Sequence, residues 1–152
     1  MSKEGDQRPP RSHRSDYARL RSITTRWKDN DVYGHVNNVE YYSFFDTAVN
    51  AMLMEEGLLD PRKSPVIGLV VETGCRYFAP ISFPEPIEAG VRAAKLSASS
   101  VRYEIGLFKA LEDEAVAEGH FVHVYVDSAG RRPTPLPDAL RAFVATLVKN
   151  AA

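Results

Sequence analysis

Between Val39 and Glu56 the apolar residues Tyr41, Phe44, Phe45, Ala48, Val49, Met52 and Leu53 recur at three- to four-residue spacing. That period predicts one long helix with a broad buried face, ended near Gly57. It is the only long helical pattern in the middle of the chain, and after Pro65 the period changes. "VIGLVVETGCRYFAP", "PIEAGVRAAKLSAS", "SVRYEIGLFKALED" and "AVAEGHFVHVYVDSAG" read as four long strands rich in Val, Tyr and Phe. Turn compositions separate them at "PISFPEP", "SASS" and "EDE", and "SAGRRP" follows the last. Ahead of the helix, "ARLRSITTRW" reads as a first strand. At the other end, "PLPDALRAFVATLVKNA" reads as a helix with Asp138 near its start and Leu140, Phe143, Val144 and Leu147 on one side.

The order strand, long helix, four strands, helix predicts an α+β domain, one apolar helix held against a curved antiparallel sheet of about five strands. Short links make antiparallel neighbours, with one crossing of the sheet. One helix covers only one face of a sheet, yet the strands carry apolar residues on both sides. A second copy is therefore expected against an outer edge or face, making a homo-oligomer.

The chain has 152 residues, 44% of them apolar, which suits a single cored domain over residues 17–152. Residues 1–16, "MSKEGDQRPPRSHRSD", are charged and bury nothing; they are expected to form a flexible tail and not a signal peptide. A net charge of -1 argues against a nucleic-acid partner bound by bulk electrostatics. No apolar run approaches the roughly 20 residues that cross a bilayer. The one cysteine, Cys75, fits a reducing compartment, so a cytoplasmic protein without a membrane partner is expected.

Chemistry gathers in "RWKDNDVYGHVNNVEYYSFFD", from Arg26 to Asp46, where the first strand gives way to the helix. Asp29 and Asp31 would point to one side if the strand ran that far. The unpaired amides of a helix start suit a place where negative charge is received. The same aspartates and asparagines are also ordinary turn and cap residues. No His, Cys and Asp cluster has the spacing of a zinc site, and His120 and His123 face opposite sides of the last strand.

The pattern W-x-D-x-D-x-x-G-H-V-N-N-x-x-Y, from Trp27 to Tyr41, resembles the signature of hotdog-fold acyl-CoA thioesterases of the 4-hydroxybenzoyl-CoA thioesterase type. The resemblance spans roughly residues 20–130. "VVETGCRYFAPISFPEPIEAGVRAAKLSASSVRYEI" looks like that family's second and third strands. The resemblance implies a sheet wrapped around the central helix, dimers whose sheets join edge to edge and often pair again into tetramers, and active sites at the dimer boundary. Coenzyme A enters as part of the substrate, with no separate cofactor.

On this chain the family's working carboxylate falls on Asp31, which either attacks the thioester carbonyl or holds water as a general base. Its oxyanion donor, seven residues on, falls on the amide of Asn38, and Gly34 lets the backbone turn closely past the substrate. His35 either shuttles a proton or holds the bend, and Asn37 either caps the helix or touches substrate. Asp29 reads as a supporting residue.

Tyr33 and Tyr41, with Phe44, Phe45 and Tyr77, are candidates for an acyl pocket or for core. Glu72, a carboxylate in an apolar strand, is a second candidate, either across a dimer boundary or solvated. Ser99, Ser100, Arg102, Arg131 and Arg132 are available to coenzyme A phosphates. The reading is an acyl- or aroyl-CoA thioesterase. A hydratase would use a different acid–base pair, and a non-catalytic acyl-CoA or fatty-acid binding module would leave Asp31 without a task.

Overall fold

The computed structural model describes residues 10–149. Its elements are β1 (Arg19–Ile23), α1 (Asn38–Glu55), β2 (Val66–Tyr77), β3 (Ile87–Leu96), β4 (Ser100–Lys109), β5 (Ala117–Asp127) and α2 (Asp138–Ala145), with 3-10 turns at Arg14–Asp16 and Trp27–Asp29. The five strands form one antiparallel sheet in the order β1-β3-β4-β5-β2. β3, β4 and β5 form a meander of short hairpins. The crossing expected from the sequence is the β2-to-β3 connection, which spans the sheet.

The alternation along β3, β4 and β5 aims Val91, Val101, Tyr103, Ile105, Leu107 and Phe121 at the helix, and all are buried. Tyr41, Phe44, Phe45, Ala48, Val49, Met52 and Leu53 meet them from α1, the face read from the sequence. Phe45 seats directly on the sheet at Gly119, where a Cβ would lie 2.1 Å from its ring. That glycine lets helix and sheet close on each other, so the core sits between them.

The sheet has two distinguishable ends. At the entry end, where α1 begins, lie Ile23, Tyr77, Ile87, Lys109 and Ala117, paired as Ile23 with Ile87, Ile87 with Lys109, and Tyr77 with Ala117. At the opposite end Leu96 pairs with Val101 and Val66 with Asp127. Ion pairs from Arg21 to Glu55 (2.7 Å) and Arg19 to Glu56 (3.6 Å) tether the end of α1 to β1.

Four boundaries differ from expectation. β1 stops at Ile23, because Asp29 draws the backbone of Arg26 into a turn before Trp27. α1 runs Asn38–Glu55, one residue earlier at each end than the spacing suggests. α2 ends at Ala145, and Leu147 is buried beyond it while its carbonyl accepts the Ala93 amide at 3.0 Å. The tail was expected to extend through residue 16, but Arg11–Asp16 is docked. Ser12 N–H donates to Glu118 (3.0 Å), and Arg14 reaches Glu88 (2.7 Å). The rest of that expectation, residues 1–9, lies outside the described residues.

Candidate active site

Asp31 organises the loop between the Trp27–Asp29 turn and α1. Its amide donates to the His35 carbonyl at 2.7 Å, and its carbonyl accepts the Gly34 amide at 3.1 Å. Its Oδ1 accepts the amides of Tyr33 (2.8 Å) and, more weakly, His35 (3.4 Å). This is the side-chain-to-backbone turn that aspartate favours, and it fixes the carboxylate's orientation. Oδ2 carries no hydrogen bond among the described residues, so one oxygen stays free. The reversal requires Gly34 at φ +80°, in the left-handed region.

The two aspartates do not share a side. Asp29 is fully buried, and its carboxylate accepts the Arg26 amide (2.7 Å) and guanidinium (2.9 Å). Its carbonyl also accepts the Asn37 amide at 2.8 Å. Asp29 therefore braces the loop, as its reading as a supporting residue expects, and Asp31 is the partly exposed carboxylate.

Asn37 is the N-cap of α1, its side chain accepting the Val39 amide at 3.3 Å. With that donor occupied, the Asn38 amide is the first-turn donor without an acceptor among the described residues. Tyr77 on β2 donates its hydroxyl to the Asn38 carbonyl at 3.1 Å, and its ring packs edge-on to Tyr41 at 4.9 Å. Tyr41 is core, 3% exposed, whereas Tyr33 stands 83% exposed. His35 is exposed, and it is its backbone that holds the bend.

Some site residues carried no signal in the sequence. Asn30 accepts the Phe83 amide on its Oδ1 (3.0 Å), and Ser82 donates its hydroxyl to the Gly34 carbonyl (2.9 Å). Together with the Val36 amide on the Ile81 carbonyl (2.7 Å), these bonds brace the Asp31 loop against residues 81–83. Ser82 and Phe83 lie some fifty positions away in sequence, which local reading does not reach. Asp46, two turns into α1, is partly desolvated, and burial raises its pKa.

Other candidates lie elsewhere within the protomer. Glu72 is exposed on β2 and pairs with His120 (3.2 Å) and Arg102 (3.4 Å). Ser99 and Ser100 stand at the β3–β4 turn and Arg132 follows β5, all at the opposite end of the sheet from Asp31. His120 and His123 do face opposite sides, and His123 is buried. Among the described residues, cavities of about 330–540 Å³ open on other parts of the fold, with neither Asp31 nor Asn38 in their walls.

Apolar side chains around the loop are uncovered: Trp27 is 78% exposed and Val32 93%. So is the outer edge of β2, where Leu69, Val70 and Val71 are exposed. No helix among the described residues is long and apolar enough to cross a membrane.

Residues 25–144 match the model of the thioesterase-like superfamily. The crystal structure of the PA5185 protein of Pseudomonas aeruginosa is similar at 52% identity and a TM-score of 0.91, covering 94% of this chain and 100% of that one. The PA2801 protein of the same organism is 32% identical with a TM-score of 0.77, over 84% of this chain and 98% of its own. A 1,4-dihydroxy-2-naphthoyl-CoA thioesterase from Synechocystis shares the fold at 17% identity and a TM-score of 0.76, over 83% of this chain and 94% of its own. No curated protein matches the chain. The match over most of the length, together with a five-stranded sheet curled around one helix, makes this chain a hotdog-fold member of the thioesterase-like superfamily.

Proposed function

We propose that the protein hydrolyses an acyl- or aroyl-CoA thioester to the carboxylic acid and free coenzyme A. The observation that carries this reading is one short loop holding both a carboxylate with a free oxygen and, seven residues on, a helix-start amide without an acceptor. The Asp31 carboxylate either takes a proton from attacking water or attacks the thioester carbonyl itself to form a mixed anhydride that water then opens. In both routes the carbonyl oxygen gains negative charge, and the Asn38 amide with the α1 dipole receives it. The C–S bond breaks and the thiolate takes up a proton as coenzyme A leaves.

Asp31→Asn tests the assignment cleanly, because an amide oxygen preserves the acceptor for Tyr33 and His35. Thiol release from a panel of acyl-CoA substrates is expected to fall about a hundredfold or more, since a general base contributes at least that much. Unchanged turnover would remove Asp31 from the chemistry. Binding of acyl-CoA by the wild type without any thiol release would replace the enzyme with a binding module.

The same reading requires a dimer joined at β2. This strand closes one edge of the sheet, and its first six residues, Val66–Val71, carry no charge and no proline to deter pairing. An isologous pairing of two β2 strands would cover them. Val71→Lys, on that edge, is expected to yield monomers by light scattering and to depress turnover with them.

A further inference from the structure

A cavity of about 330 Å³ lies under the C-terminal half of α1, at the far end of the core from the Asp31 loop. Asn38 and Leu53 are fifteen residues apart on that helix, about 22 Å at 1.5 Å per residue. Leu53, Leu58, Leu59, Ile67 and Leu140 give the cavity an aliphatic wall, and no Asp, Glu, Lys or Arg is among its lining residues. One polar atom interrupts that wall. His123 is 4% exposed, and its Nδ1 has no hydrogen-bond partner among the described residues.

The imidazole is fixed by aromatic packing. Phe121 stacks on it at 4.6 Å between centroids, and Tyr103 and Tyr125 meet it edge-on at 5.4 Å and 6.0 Å. The hydroxyls of those two tyrosines pair with each other at 2.8 Å and leave the histidine unserved. Towards β2 the neighbour is Gly68, where a Cβ would lie 2.7 Å from Nδ1. The missing side chain leaves that nitrogen open, and Gly68 and His123 share the cavity wall. A buried nitrogen without a partner is destabilising until something arrives to pair with it.

We infer that this cavity binds an uncharged aliphatic alcohol, its hydrocarbon chain among the leucines and its hydroxyl on His123 Nδ1. A hydroxyl both donates and accepts, so it pairs with Nδ1 in either tautomer of the ring. Burial pushes the His123 pKa down to about 4, so at pH 7 the ring is neutral and offers a carboxylate no cation. A fatty-acid anion would lose its water there without a compensating charge, which an alcohol avoids. An apolar cavity of about 150 Å³ holds one benzene, so about 330 Å³ suits a chain of roughly eight carbons. The site is separate from the Asp31 loop and does not rest on the thioesterase reading.

The test titrates the full chain at pH 7.5 with 1-octanol and, separately, with octanoate, by calorimetry and by the shift of the thermal midpoint. Octanol is expected to bind and to raise the midpoint, and octanoate to bind about tenfold more weakly or worse. His123→Phe keeps the stack on Phe121 and removes the nitrogen. It is expected to weaken octanol about five- to tenfold, the scale of one neutral hydrogen bond. Leu58→Phe, and separately Leu59→Phe, fills the cavity from a half-buried wall and is expected to weaken octanol by a similar factor or more; two variants guard against one failing to fold. Asp31→Asn is expected to bind octanol as the wild type does, so the alcohol site and the enzyme reading stand or fall separately.

Equal octanol affinity in wild type and His123→Phe would overturn the hydroxyl contact. Equal affinity in both cavity-filling variants would place the alcohol elsewhere on the protein. Octanoate bound as tightly as octanol would remove the selection against charge. Neither heat nor a midpoint shift with octanol would leave Nδ1 paired to water alone and end the proposal.

Discussion

Replacing His123 with Phe removes a buried nitrogen, Nδ1, that has no hydrogen-bond partner among the described residues. The ring stacks on Phe121 at 4.6 Å between centroids, a packing that a phenyl ring reproduces. Burial lowers the His123 pKa from 6.5 to about 4. The titratable side chains whose rings pack on it are Tyr103 and Tyr125, both held neutral far above this range by burial, and no carboxylate lines the adjoining cavity.

The sign of the effect follows from proton binding. Between pH 6.5 and about 4 the unfolded histidine holds a proton that the folded one refuses. This group's contribution is therefore complete above pH 6.5 and is lost as pH falls towards 4. At about 1.4 kcal/mol per pH unit, the interval amounts to about 3 kcal/mol. Urea unfolding followed by far-UV circular dichroism from pH 4 to 7.5, at one protomer concentration because a dimer couples stability to concentration, measures it. Carboxylates also contribute to acid unfolding, so the informative quantity is the difference between wild type and His123→Phe. That difference should shift by about 3 kcal/mol in favour of the variant on going from pH 7 to pH 4. Parallel curves across this range would refute the claim that a neutral histidine is trapped in the core.

Three further outcomes are expected. Asn37→Ala removes the side-chain acceptor at the start of α1 and should cost about 1 kcal/mol in urea unfolding, with turnover falling as the first turn frays. Arg26→Ala leaves the fully buried Asp29 carboxylate without its guanidinium partner and should lower the urea-unfolding midpoint more than Arg21→Ala, which breaks an ion pair to the exposed Glu55. Gly34→Ala finds no atom within 4 Å of the new Cβ, so its cost is backbone strain alone, about 1–2 kcal/mol by thermal unfolding. A fully active, equally stable Gly34→Ala would show that the left-handed turn is not needed.

The helix was legible because seven apolar residues at a 3.6-residue period leave one packing solution, and β2–β5 because their runs are long and bounded by turn residues. β1 was over-read: Thr24, Thr25 and Trp27 favour strands, but Asp29 folds back on the Arg26 amide and ends the strand at Ile23. Local propensity cannot see that bond. The resemblance alone separated Asp31 as the reacting carboxylate from Asp29 as a support; in the structure Asp29 is walled in by Arg26 and Asp31 turns outward with the loop. Ser99, Ser100 and Arg132 were named for coenzyme A phosphates by residue type, which says nothing of their distance from Asp31 within a protomer. Strand direction separates them, since the β3–β4 hairpin points away from the end where α1 begins. The brace from Asn30 and Ser82 was invisible because it joins segments some fifty residues apart.

Trp27, the single tryptophan, is 78% exposed and stands edge-on to Phe83, 6.1 Å away, next to the Asp31 loop. An indole placed there is a native optical label for whatever arrives at the loop. Its emission should lie to the red in a lone protomer and move to the blue when a subunit or thioester shields it. On the proposed reading, intrinsic fluorescence of this chain reports assembly and occupancy, and only weakly the melting of the core behind it.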